Sequence, residues 1–297
     1  MIKLFAGACA LLFSLSISLS FSFSAVAADD VKTFTFTAIP DQDETQLKLR
    51  FDQVADYLSK ELGVNVNYVP VKSYSAAVAA FRNNQVQLAW FGGLSGVQAR
   101  RLVPGSQAIA QGFEDPSFKS HIIANSNTGL KAADALPAAV SDKTFTFGSK
   151  GSTSGRLMPE FFLREHYAKS PADTFKRVGF SGDHSRTIAL VQSGAYDLGA
   201  VNYKVWERAL AEGKVDPSKV AVIWTTPGYP DYQWTLRAEL DTGFGEGFSA
   251  NVQQALLGMK DEKLLQAFPR ASFIPATNAD YITIEKVGES IGLLDAK

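Results

Sequence analysis

Cysteine is almost missing: the chain of 297 residues has 1, Cys9. It lies in a segment that reads as an export signal. Lys3 supplies the positive start, Leu4 to Phe23 an apolar, serine-rich core, and Ala25-Val26-Ala27 a small-x-small cleavage site, so residues 1–27 are expected to be removed. A chain starting at Ala28 has no thiol, which excludes disulfides, thiol catalysis and cysteine metal sites. Histidine is scarce as well, with 3 in the chain. His121, His166 and His184 are scattered and no His-Glu-x-x-His motif occurs, so neither a zinc site nor a cofactor is expected. An excess of one charge is also missing: 29 Lys and Arg face 30 Asp and Glu. No basic block stands out, which argues against nucleic acid. After residue 28 no apolar run reaches membrane-spanning length, and there is no repeat or low-complexity segment. What remains is an exported, cysteine-free globular chain that suits a bacterial periplasm. Its length fits two domains or one large one.

The pattern that is present alternates strand and helix. Phe34 to Ile39 reads as a strand, and Thr45 to Leu62 as a helix with Leu47, Phe51, Val54, Leu58 and Leu62 at helical spacing. Val64 to Val69 is a second strand, followed by a helix from about Ser75 to Arg82. Val86 to Phe91 is a third strand, closed by Gly92-Gly93, and Leu94 to Arg101 a further helix. This order implies a parallel sheet covered on both faces, with ligands gathering at the carboxyl ends of the strands. Three such ends are Ile39-Pro40, the turn before Tyr74, and Trp90-Phe91-Gly92-Gly93. Further strands are expected at Ala108–Gln111 and Ser120–Ala124, and the polar stretch 125–136 reads as a crossing to a second unit. There, strands at Thr144–Phe147, Phe175–Phe180, Tyr196–Val201 and Val220–Trp224 alternate with helices. The tail adds helices near 249–257, 260–266 and 281–293. The chain therefore reads as two similar α/β lobes with two crossings between them.

The stretch Thr144 to Glu165 concentrates the chemistry. A buried strand, Thr144-Phe145-Thr146-Phe147, runs into a small-residue turn and then into Ser152-Thr153-Ser154-Gly155 at the head of a helix. Unpaired N–H groups, hydroxyls and the helix dipole meet at that point and favour a small anion. The plain alternative is an N-cap, with Ser152 or Thr153 only satisfying the helix.

This arrangement resembles the solute-binding proteins of phosphonate and phosphite ABC importers. The residues that carry the resemblance are Ala38-Ile39-Pro40-Asp41, Ser73-Tyr74, Trp90-Phe91-Gly92-Gly93, Gly151-Ser152-Thr153-Ser154-Gly155, Gly182-Asp183-His184, Tyr196-Asp197-Leu198-Gly199 and Tyr229-Pro230-Asp231-Tyr232. It implies an α/β, two-lobe periplasmic-binding-protein fold (type II-like): two parallel-type sheets flanked by helices, with two hinge crossings. On that reading residues 28–124 with 236–297 form the first lobe, and 125–235 the second. It implies ligand contacts from Tyr74, Trp90, Phe91, Ser152, Thr153, Ser154, His184 and Asp231. It also implies a small tetrahedral oxyanion as ligand, a membrane ABC permease as partner, and a monomer. Phe91 stands where the family often has tyrosine, so one phenolic donor is missing. Asn202-Tyr203 stands where aminophosphonate binders carry an extra acid, which argues against an amine-bearing ligand. The stretch Gln87 to Gln111 looks most like a subgroup labelled as selenate binders.

Each residue also has a purely structural reading. Tyr74 reads otherwise as an exposed helix-start aromatic, His184 as a turn residue, Asp231 as a turn-former beside Pro230, and Trp90 and Phe91 as core with only their backbone near the ligand. Asp197 reads as a tether or cap. Catalysis is the weaker class. The centre of the Gly151–Gly155 turn is Thr153 rather than a serine nucleophile, adjacent Asp183 and His184 seldom form a relay, and the turn lacks a Walker lysine. A periplasmic sensor module is the non-transport alternative. Replacing Ser152 and Thr153 together by alanine is expected to remove most affinity and leave the fold intact.

Overall fold

The computed structural model describes residues 32–296; the expected export segment 1–27, with Cys9, lies outside them. The first strands and helices follow the sequence pattern closely: β1 (Phe34–Ala38), α1 (Glu44–Leu62), β2 (Val66–Tyr68), α2 (Tyr74–Arg82), β3 (Leu88–Phe91), α3 (Gly93–Leu102) and β4 (Gln107–Gly112). The second half has β5 (Ser120–Asn125), β6 (Thr144–Phe147), α4 (Met158–Tyr167), α5 (Pro171–Thr174), β7 (Arg177–Phe180), α6 (His184–Gln192), β8 (Leu198–Asn202), α7 (Tyr203–Ala211) and β9 (Val220–Thr225). The chain then returns through β10 (Gln233–Leu236), α8 (Leu240–Phe244), α9 (Phe248–Leu257), α10 (Glu262–Leu265), β11 (Phe273–Pro275) and α11 (Ile282–Ser290).

These strands form two sheets, ordered β11-β4-β10-β3-β1-β2 and β7-β6-β8-β5-β9. Both sheets are mixed, where parallel-type sheets were expected. β1 runs parallel to β2 and β3, whereas β10 is antiparallel to β3 and β4. β6 runs parallel to β7 and β8, whereas β5 is antiparallel to β8 and β9. The reversals come from the crossings: a strand that enters a sheet from the other lobe arrives from the cleft end and runs against the βαβ strands.

The lobe boundaries also differ from the expectation. β5 belongs to the second sheet and β10 to the first. The crossings are the short segments 113–119 and 226–232, not the polar stretch 125–136. They pair with each other through an antiparallel bridge: Phe118 N–H donates to Tyr229 O at 2.8 Å, and Tyr229 N–H to Phe118 O at 3.0 Å. Both residues are buried, so each crossing is anchored by an aromatic that belongs to the core although its neighbours are polar, Pro or Gly. Arg270, from the C-terminal segment, locks this ribbon. Its guanidinium pairs with buried Asp115 of the first crossing at 2.8 Å and lies over the rings of Phe118 and Tyr232.

The first lobe is built on an aromatic cluster. Trp90 stacks on Tyr232 and meets Trp234, Phe268 and Phe273 edge-on or tilted. Aromatic pairs of this kind add stabilisation beyond their buried area. α9 packs on α1, and α11 on α3, so the tail covers the first sheet. Among the described residues no helix is long and apolar enough to cross a membrane, and no group of three or more His, Cys, Asp or Glu is placed to hold a metal.

Candidate functional site

Four helical segments begin at the cleft between the sheets. Tyr74 is the first residue of α2, behind the N-cap Ser73. Gly93 opens α3. Thr153 opens one turn of π-helix, Thr153–Leu157, that leads into α4. His184 is the first residue of α6, behind the N-cap Asp183. The first N–H groups of a helix have no intrahelical acceptor, and each helix start carries partial positive charge. A cleft with several such starts attracts an anion without any buried cation.

The π-turn is the local device that presents the hydroxyls. Ser152 Oγ accepts from Gly155 N–H at 2.9 Å, Leu157 N–H reaches back to Ser152 O at 3.0 Å, and Gly148 N–H closes on Gly155 O at 2.8 Å. Beneath it, Ser120 Oγ donates to Ser154 O at 2.6 Å and is held by the Tyr229 hydroxyl. Gly155 is required by the close approach of its neighbours. A Cβ there would stand 2.9 Å from both His184 Cε1 and Ser152 Oγ.

Of nine buried side-chain polar atoms without a hydrogen-bond partner among the described residues, four lie together here. The Tyr74 hydroxyl, Ser154 Oγ, His184 Nε2 and Asp231 Oδ2 are buried and have no hydrogen-bond partner, and each of these residues is 2 % exposed or less. A buried polar group left unsatisfied costs about 1–3 kcal/mol, so four in one region call for a ligand with several oxygens. They lie among the helix starts just described. A Cβ on Gly151 would stand 3.2 Å from Tyr74 Cβ, and one on Gly92 would stand 3.1 Å from Asp231 Oδ1 and 3.2 Å from Thr153 Oγ1. A surface hollow of about 600 Å³, lined by Pro40, Lys72, Ser73, Ser149, Asp183 and Arg186, lies beside these helix starts.

The protonation states follow from the partners. His184 Nδ1 accepts from the Asn202 N–H at 3.3 Å, so the ring proton sits on Nε2, the unpartnered nitrogen. Burial pushes the imidazole down to about 3, which keeps it neutral and a donor. Asp231 Oδ1 accepts from Gly93 N–H at 2.9 Å. Burial pushes the Asp231 carboxyl up to about 7, against the lowering pull of Gly93 N–H and the Thr153 hydroxyl. Near neutral pH the carboxyl is therefore divided between its protonated and ionised forms.

The cleft is shut in this structure. Leu94 N–H donates to Thr153 Oγ1 at 2.9 Å, His184 N–H to Asp41 O at 3.0 Å, and Asn202 Nδ2 to the Tyr232 hydroxyl at 2.9 Å. The first two run from one lobe to the other, and the third joins the second lobe to the last residue of the second crossing, where it enters the first.

Residues 36–281 match the family described as phosphonate ABC transporter, periplasmic substrate-binding protein. The chain belongs to that family. One relative is the probable ABC transporter phosphite binding protein PhnD1 of Prochlorococcus marinus (strain MIT 9301). It is 42 % identical over 261 residues, covering 86 % of this chain and 88 % of its own length. The solved structure of PhnD1 in complex with methylphosphonate superposes with a TM-score of 0.85 at 41 % identity, covering 89 % of this chain and all of that one. The phosphonates-binding periplasmic protein of Escherichia coli (strain K12) is 29 % identical over 197 residues, 65 % of this chain and 57 % of its own length.

For a member of this phosphonate-binding family, the expected ligand residues separate into two groups. Tyr74, Ser152, Thr153, Ser154, His184 and Asp231 come together at the helix starts. The rings of Trp90 and Phe91 do not: Trp90 sits in the aromatic cluster and Phe91 packs edge-on against Phe81. Only the glycines that follow them reach the cleft. Asp197 tethers β6, accepting from the Thr144 N–H at 2.7 Å and its hydroxyl at 2.9 Å. The hydrogen bonds of Ser120, Asn202 and the Tyr232 hydroxyl were not legible in the sequence, because their partners are distant in the chain and only the fold brings them together.

Proposed function

We propose that this chain captures a small phosphorus oxyanion, phosphite or a short phosphonate such as methylphosphonate, and delivers it to a membrane ABC permease. The observation that carries the proposal is the set of four unpartnered buried polar atoms beside four helix starts. In this reading the Tyr74 hydroxyl, Ser154 Oγ and His184 Nε2–H donate to the anion's oxygens, with the free N–H groups of Thr153 and Ser154. Asp231 Oδ2 takes the acidic P–OH proton. Charge-assisted hydrogen bonds of this kind replace hydration without a buried arginine. The ligand bridges both lobes and favours the closed form, which the permease recognises. Capture takes place in the periplasm after cleavage of residues 1–27.

The reading is one of binding without chemistry. His184 Nδ1 is occupied by a backbone N–H rather than by a carboxylate, and its proton already sits on Nε2. The ring is arranged to donate, not to abstract a proton.

Selenate, suggested by the stretch Gln87–Gln111, is disfavoured on physical grounds. It carries no proton near neutral pH, and Asp231 Oδ2 repels it unless the carboxyl is itself protonated. The site is also enclosed, which suits a ligand with no substituent or a small one. The experiment is a thermal-shift panel at pH 8 with methylphosphonate, phosphite, phosphate, sulfate and selenate. Ligand at a thousand times Kd stabilises by about 4 kcal/mol, so the phosphorus ligands should raise the midpoint by several degrees and selenate and sulfate hardly at all. An equal or larger shift with selenate overturns the proposal.

A further inference from the structure

Beyond the ligand contacts, one buried circuit links the lobes. Asn202 ends β8 and caps α7, its Oδ1 accepting from Lys204 N–H at 2.8 Å and Val205 N–H at 3.1 Å. Its Nδ2 is thereby aimed across the cleft at the Tyr232 hydroxyl, 2.9 Å away. Tyr232 in turn donates to Asp41 Oδ2 at 2.8 Å. The Asp41 carbonyl accepts the His184 N–H, and His184 Nδ1 accepts the Asn202 N–H. All four residues are buried. The direction of the hydroxyl is fixed: its single proton goes to Asp41, so its oxygen is free for Asn202 Nδ2.

We propose that Asn202, Tyr232 and Asp41 form a closure latch, a set of positioning residues that hold the lobes together by protein-to-protein bonds and touch no ligand. Opening the cleft separates Asn202 from Tyr232 and His184 from Asp41, and water replaces both bonds. Closing removes that water, so each group must find its partner or remain unsatisfied. The latch therefore weights the closed state independently of ligand, and ligand affinity scales with the fraction of protein able to close. Removing the Tyr232 hydroxyl penalises only the closed state, because it strands Asn202 Nδ2 and Asp41 Oδ2 there and not in the open cleft.

Tyr232→Phe and Asn202→Ser test this; serine keeps the helix cap but loses the reaching amide. The effect on affinity rests on the proposed ligand class, whereas the effect on lobe separation does not. Each single variant is expected to bind methylphosphonate 10- to 100-fold more weakly, through faster dissociation. The double variant should be no weaker than the weaker single, since both remove one bridge. Unchanged affinity, or losses that multiply in the double variant, overturns the latch. Lobe separation is read by spin labels on the cleft lips at Lys72→Cys and Arg186→Cys in the chain starting at Ala28, which has no other thiol, without ligand. The ratio of short to long distances should fall at least tenfold in Tyr232→Phe, and an unaltered ratio overturns the proposal. If the unsubstituted protein binds neither methylphosphonate nor phosphite, the ligand assignment fails and the label distances still decide the latch.

Discussion

Asp231 is the residue on which the site's electrostatics turn. Its carboxyl is pushed up from the usual carboxylate range to about 7 by burial, so the folded state holds a proton that the unfolded chain releases near pH 4. The stability it contributes is complete below that pH and is lost as the pH rises towards and through 7. His184 acts in the opposite direction: its folded value lies near 3, so stability is lost as the pH falls below the ordinary imidazole value of about 6.5. Asp231→Asn keeps an acceptor for Gly93 and removes the buried charge. It should raise the unfolding midpoint of the ligand-free protein most at pH 8, less at pH 5, and hardly at all at pH 4 or below. The same change should weaken methylphosphonate binding at least tenfold, because an amide N–H now faces the acidic P–OH. A scan of midpoint against pH beside a calorimetric titration checks both. Ser154→Ala is the cleaner deletion of a ligand donor than the paired loss of Ser152 and Thr153. Ser152 Oγ holds the turn through Gly155 and Thr153 Oγ1 bridges to Leu94, so that pair would disturb the turn and the closure as well as the ligand.

At the scale of elements, the π-turn is what the sequence concealed. The run Ser152 to Tyr167 has helical spacing throughout, and Pro159 is tolerated in the first turn of α4. Nothing in residue type marks the extra residue in the opening turn, which is fixed by Ser120 and Tyr229 beneath it and by His184 beside it. The βαβ strands and the long amphipathic helices were legible because one periodicity dominates each of them. β11, α5 and α8 were not: with 3 to 5 residues each, they are too short to show a period and owe their form to the surfaces they cover. The hydroxyl cluster at a helix start was legible, but the rings of Trp90 and Phe91 were not separable from their backbone. An alternating strand looks alike whether a ring faces ligand or core. Gly155→Ala tests the turn. Its Cβ would meet His184 and the Ser152 cap at 2.9 Å, so affinity should drop at least 100-fold while circular dichroism keeps the α/β signature. Near-normal affinity would show that the turn is free to shift.

For the whole molecule, the two crossings and the C-terminal segment act as one unit. The bidentate pair of Arg270 with Asp115 joins the first crossing to the tail, and the Arg270 guanidinium also covers Tyr232 at the exit of the second. Removing one partner of a buried pair costs about 3–5 kcal/mol, since the other charge is left uncompensated. Asp115→Ala should therefore lower stability by about that amount, and denaturant unfolding measures it. The sheet to which β5 and β10 belong was not legible in the sequence because the crossings are short and pair with each other through Phe118 and Tyr229, partners distant in the chain. On the proposed function, a small phosphorus oxyanion sits where four helices begin, satisfying atoms that are otherwise stranded. A crystal structure of the methylphosphonate complex tests that most directly. Phosphonate oxygens are expected within about 3 Å, ordinary hydrogen-bond reach, of the Tyr74 hydroxyl, Ser154 Oγ and His184 Nε2, with Asp231 Oδ2 on the protonated oxygen. Methylphosphonate bound elsewhere, with those four atoms still unpartnered, would contradict it.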